Sequence, residues 1–91
     1  MGISVVDRNR QMRAIREDVR EKFGARYEEI MVGIRESVAA KAAEAGVTPL
    51  HYAAFVYDSV RAEDDPVSII GAEAIISAAL DLSDTSVQAM A

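Results

Sequence analysis

From Met12 onward, apolar residues recur at steps of three or four: Ile15, Val19, Phe23, Tyr27, Ile30, Ile34 and Val38, then Ala42 and Ala45. That spacing lays a single stripe along an α-helix. Ser4 and Asp7 provide a start signal ahead of it, a capping hydroxyl followed three residues later by an acid. Gly24 and Gly33 fall inside the segment, and each costs about 1 kcal/mol relative to Ala in a helix interior. The stripe nevertheless keeps its phase across both, so the pattern predicts one continuous helix over about residues 4–45. At 1.5 Å per residue that helix would be roughly 60 Å long. The spacing of eleven between Met12, Phe23, Ile34 and Ala45 favours a straight helix over a left-handed heptad coil.

Gly46 stops this pattern, because glycine takes the left-handed conformation without steric penalty. Thr48 and Pro49 then restart the chain as an N-cap and a first helical residue. A second helix is predicted over about 49–62. Asp65 and Pro66 repeat the device and open a third helix over about 66–82, which is apolar nearly all round from Val67 to Leu80 and so reads as the most buried element. Residues 83–91 are small and polar and read as a tail.

The expected fold is all-α: a long N-terminal helix followed by a two-helix hairpin, together one domain over 1–91. The hairpin helices, roughly 22 and 25 Å long, can cover only the second half of the long helix. Met12, Ile15, Val19, Phe23 and Tyr27 would then lie beyond its reach, which predicts an interface and a dimeric bundle.

Composition narrows the chemistry. Cysteine is absent among the 91 residues, which removes disulfides, thiolate metal sites and cysteine nucleophiles and points to a cytoplasmic setting. The start of the chain has no secretory h-region. The run Val67–Leu80 contains Glu73 and is shorter than the ~20 residues of a bilayer span, so no membrane partner is expected. The net charge of −5 is unevenly distributed. Residues 1–41 hold nine Lys/Arg against seven Asp/Glu, whereas residues 42–91 hold one against eight. Such polarity suits self-association or a charged partner.

Arg10, Arg13, Arg16 and Arg20 gather along one side of the long helix and are the candidate contacts to a charged partner. Glu17, Asp18 and Glu21 are interleaved with them, as in a helix laced with ion pairs. His51 lies seven residues before Asp58 on one helical face, but no Ser or Cys nucleophile accompanies the pair. Phosphate loops, nucleophile elbows, metal-ligand spacings and cofactor fingerprints are absent, so neither a catalytic residue nor a cofactor or metal is expected.

The segment Ala42-Ala43-Glu44-Ala45-Gly46-Val47-Thr48, with Tyr52 and Phe55 after it, is similar to a helix-turn-helix DNA-binding core: a small residue, a turn glycine four later, then apolar packing positions. It departs from that pattern in the would-be recognition helix, whose main polar groups are His51, Asp58 and Arg61, with almost no basic or amide side chains to read base edges. The expected function is a non-catalytic helical protein-interaction module, an adaptor, assembly factor or inhibitor, acting as a homodimer and on another protein. The alternative is a small regulator acting on nucleic acid, or on a nucleic-acid-binding protein, through its charged faces.

Overall fold

A computed structural model describes the backbone of residues 5–90 and the side chains of residues 10–84. The described residues are helical almost throughout: α1 (Val5–Phe23), a 3-10 turn (Gly24–Arg26), α2 (Tyr27–Ala45), α3 (Pro49–Glu63) and α4 (Pro66–Met90). The expected cap at Ser4 lies outside the described residues.

The predicted helix over 4–45 is two helices. Gly24 takes φ +56°, in the left-handed region, where a Cβ would crowd the following carbonyl oxygen. The 3-10 turn that follows redirects the chain, so that α1 and α2 both pack on α4 and lie against each other. The principal extents of 36 × 33 × 25 Å leave no room for a 60 Å rod. The apolar phase survives the turn because both helices must present their stripe to the same central helix. Periodicity reports which face is buried, not whether the helical axis continues.

The ends of α2, α3 and α4 follow from local chemistry. Gly46 closes α2 at φ +71°, and the Val47 amide reaches back to the Ala42 carbonyl at 3.0 Å, the long bond of a Schellman cap. Thr48 accepts a hydrogen bond from the His51 amide at 3.1 Å, with Pro49 in the first turn of α3. At the next turn Asp64 adopts φ +56°. Asp65 then opens α4, its carbonyl accepting from the Ile69 amide at 2.9 Å and its carboxylate from the Ser68 hydroxyl at 2.7 Å. This helix does not stop near Leu82; it continues to Met90, through the segment read as a tail.

At 25 residues α4 is the axis of the fold, with α1, α2 and α3 all packed on it. Its Ala72, Ala74, Ala78 and Ala79 are buried, and such small side chains let neighbouring helices approach closely. Around them gather Met12 and Val19 from α1, Tyr27, Met31 and Val38 from α2, and Ala53 from α3. The stretch Pro66–Asp84 is long and apolar enough to cross a membrane, contrary to the shorter run read from the sequence. In this fold it is the shared core helix.

The N-terminal stripe is therefore not left uncovered. Met12, Val19 and Tyr27 are buried, and Ile15 and Phe23 are partly buried against the same core. Once α1 folds back at Gly24, its apolar face meets α4 of its own chain, which removes the reason for assigning these residues to an interface.

Candidate functional site

Two features stand out: a polar clasp joining α1, α2 and α4, and an apolar groove between α2 and α4. The clasp is centred on Asp81, in the C-terminal half of α4. Its carboxylate accepts from Arg16 Nη1 at 3.2 Å, from the Tyr27 hydroxyl at 2.7 Å, and from Arg35 Nη2 and Nε at 2.9 and 3.3 Å. One helical turn on, Asp84 accepts from Arg16 Nη1 at 2.8 Å and lies 3.7 Å from Arg13 Nη2. Since the phenol proton of Tyr27 goes to Asp81, the hydroxyl of Ser77, also bonded to Tyr27, is left to donate to the phenol oxygen.

The clasp is substantially withdrawn from water: the Arg16 side chain is 10% exposed and that of Asp81 12%. Desolvation works against the Arg16 cation, yet bonding to Asp84 and Asp81 raises its pKa above the ordinary value. The Arg35 guanidinium is raised as well, first by its bonds to Glu28. Hydrogen bonding from Arg16 holds Asp84 below the usual carboxylate value. Burial pushes Tyr27 upward, reinforced by Asp81 and opposed by Ser77. Arg16 Nε is buried and finds no partner among the described residues.

Of the four arginines of the proposed charged-partner stripe, only Arg16 is buried; Arg13 and Arg20 stay exposed while lying near the clasp carboxylates. Arg13 and Arg16 face Asp84, and Arg20 lies 3.8 Å from Asp81 while also bonding Glu17 at 3.2 Å and stacking over the Tyr27 ring at 5.5 Å. Arg10 is exposed. A large part of the charge asymmetry between the two halves of the sequence is therefore satisfied within the chain, including Lys22 to Glu73 at 3.7 Å. The sequence reading missed Arg35, Ser77, Asp81 and Asp84. The available signal was the placing of Glu73, Asp81 and Asp84 in an otherwise apolar helix, since acids persist on a core helix where cations meet them.

His51 is exposed on α3, where its backbone rather than its ring takes part in the cap. Among the described residues no cluster of three or more His, Asp or Glu side chains converges as a metal site would require.

The groove has a volume of about 450 Å³. Gly33, Ile34, Ser37 and Lys41 line its α2 side, and Ile70, Gly71, Ala74 and Ile75 its α4 side. Val38, Phe23 and Tyr52 complete the lining, and Lys41 is its only charged residue. The walls are open because glycine stands at helix-interior positions on both sides. A Cβ built on Gly33 or Gly71 would meet no atom within 4 Å. Beside Gly71, Ile70 is 46% exposed, and one turn earlier Val67 is 78% exposed.

The Asp81 carboxylate of the clasp is engaged by guanidinium and phenol donors, and the geometry is that of a fastening between helices. The groove is the unfilled feature. The sequence matches no protein-family model, and neither curated proteins nor solved structures give a significant match to it, so the functional reading rests on the geometry of the chain itself.

Proposed function

We propose that the protein is a non-catalytic helical interaction module whose docking surface is the groove between α2 and α4. The supporting observation is the coincidence, in one place, of an apolar trough, helix-interior glycines that nothing in the chain packs against, and exposed Ile70 and Val67. An interior glycine weakens a helix, and exposed aliphatic side chains around an apolar concavity are the usual signature of a surface that another helix covers. The interface expected along Met12, Ile15, Val19, Phe23 and Tyr27 moves accordingly, because that stripe is already occupied by α4.

The alternative of a nucleic-acid contact through Arg10, Arg13, Arg16 and Arg20 is less well supported by this geometry. Arg16 is buried and bonded to Asp81 and Asp84, so phosphate would have to displace carboxylates to reach it, which leaves only Arg10, Arg13 and Arg20 exposed.

The test is capture of binding partners from the native host, compared quantitatively between wild type, the groove variant Ile70→Lys and the distant surface variant Asp18→Lys. Partners lost with Ile70→Lys and kept with Asp18→Lys support the module reading. A set of partners indifferent to Ile70, or lost equally with both variants, overturns it.

A further inference from the structure

Three polar side chains line the apolar groove: Ser37 and Lys41, one helical turn apart on α2, and Tyr52 in the first turn of α3. None of these side chains makes a hydrogen bond or ion pair among the described residues. The cations of the clasp, by contrast, are met by carboxylates. An ammonium and two hydroxyls all donate, and no acid stands in the lining to receive them. On a chain of net charge −5, the groove is therefore a local reversal of sign. A ligand that satisfies it brings an anionic acceptor to Lys41 and an apolar body to the rest of the trough.

Size narrows the ligand further. The volume of about 450 Å³ falls within the range of roughly 300–1,000 Å³ typical of sites that take small molecules, which are likewise mostly apolar with a few placed polar groups. Val38 and Ala74 are buried beneath it, at 2% and 4% exposure. Along α2 the lining runs from Gly33 to Lys41, roughly 12 Å of helix, which an extended chain covers in about ten bonds. Lys41 stands at one end of that wall, so the charge belongs at the end of the ligand and not along it.

We propose that the groove binds a free medium-chain carboxylate, an unbranched fatty acid of about ten carbons. Its carboxylate meets Lys41 and Ser37, and its chain lies along Ile34 and Gly33. The inference rests on the reading of the groove as a docking surface and adds its regulation, because a bound fatty acid fills the trough that a partner's helix would enter. The two occupants exclude each other.

The experiment is isothermal titration calorimetry of the purified full chain with octanoate and decanoate, below their micelle concentrations, and with decyltrimethylammonium. The last carries the same chain length with the opposite charge, and general electrostatics favour it on an acidic protein. Decanoate should saturate at one per chain and bind about fifteenfold more tightly than octanoate, the effect of burying two further methylenes. Lys41→Glu should weaken decanoate binding about tenfold or more through like-charge repulsion, and Lys41→Arg should preserve it. Lys41 is exposed, so neither change disturbs the fold. Gly71→Leu, where a Cβ would meet open space, should fill the trough and remove binding with far-UV circular dichroism unchanged. Absence of saturable decanoate binding through the millimolar range overturns the assignment. So does binding that Lys41→Glu leaves unchanged, or tighter binding of decyltrimethylammonium. Partner capture that depends on Ile70 is a separate measurement, and its persistence after any of these results would leave the module reading standing.

Discussion

Asp81→Ala removes the acceptor shared by α1 and α2 and leaves the guanidinium groups of Arg16 and Arg35 and the phenol of Tyr27 short of a partner. Glu28→Ala also deprives Arg35 of a carboxylate, to which it bonds at 3.1 and 3.2 Å. If hydrogen bonds were additive, the two losses would differ in proportion to at least four bonds against two. Desolvation predicts a wider gap. The Glu28 side chain is 75% exposed, so its loss should cost about 0.2–1 kcal/mol, since water replaces it. Asp81 and Arg16 are almost enclosed, and stranding a buried charge typically costs about 3–5 kcal/mol. A domain of this length has a total stability of about 5–14 kcal/mol, so Asp81→Ala should bring the fold close to its limit. Urea unfolding at neutral pH, followed by far-UV circular dichroism and extrapolated linearly to water, measures both losses. Comparable costs for the two variants, or a loss below about 1 kcal/mol for Asp81→Ala, would refute the view that the clasp is held by withdrawal from water. The cost of breaking the clasp is not its net worth, because an apolar replacement of all its members can be neutral or stabilising.

Other outcomes follow from the backbone and from titration. Gly24→Ala should destabilise by about 1–2 kcal/mol because φ is +56° there, whereas Gly33→Ala, in helical backbone with open space around it, should raise stability by up to about 1 kcal/mol if measured on the monomer; equal effects at both sites would contradict the broken first helix. Asp64→Gly should stabilise by up to about 1–2 kcal/mol, since it relieves a non-glycine residue held at φ +56°, and thermal unfolding would register the gain. Tyr27 titrates above its ordinary value of 10.0 in the folded chain, so its contribution to stability is complete below pH 10.0 and is lost as pH rises from there through the raised folded value; Tyr27→Phe should flatten that alkaline decline in a series of urea titrations. Asp84 is lowered from 3.8, so its contribution is present above that pH and disappears as pH falls through the depressed folded value, an acid limb that Asp84→Asn should reduce.

The helix starts at Pro49 and Pro66 were legible because proline and the cap before it act through their own backbone geometry, independent of distant residues. The burial of Val67 to Leu80 was legible only in part, because apolar character states a preference for the core without saying which residues reach it: Val67 and Ile70 stay exposed, while Ala72 and Ala78 are enclosed. The break at Gly24 was masked by the very regularity that made the stripe visible. Two helices packed on one partner need matching phase, so the pattern could not distinguish them from one, and the only local mark was the glycine itself. The clasp lay further from reach, because Arg16 and Asp81 are 65 residues apart and their meeting depends on a turn whose direction no spacing rule supplies. Their charges were visible as an imbalance between two halves of the chain, but an imbalance satisfied from within looks the same in sequence as one offered to a partner.

The span from Arg16 to Asp81 also bears on how the chain is made. The first helix leaves the ribosome 65 residues ahead of the carboxylate that fastens it, and the core helix that covers Met12, Val19 and Tyr27 emerges last. At synthesis rates of about 5–20 residues per second the N-terminal apolar face is without its cover for roughly 3–13 s, long compared with the microseconds in which a helix forms. During that interval the apolar residues of the segment lack their partner helix, and it is the kind of segment that chaperones hold and that neighbouring nascent chains can capture. Among the outward-facing residues of α1, Glu17, Asp18 and Glu21 are exposed acids that remain solvated before and after docking, and they give the waiting segment a charged side that opposes aggregation until the last helix arrives.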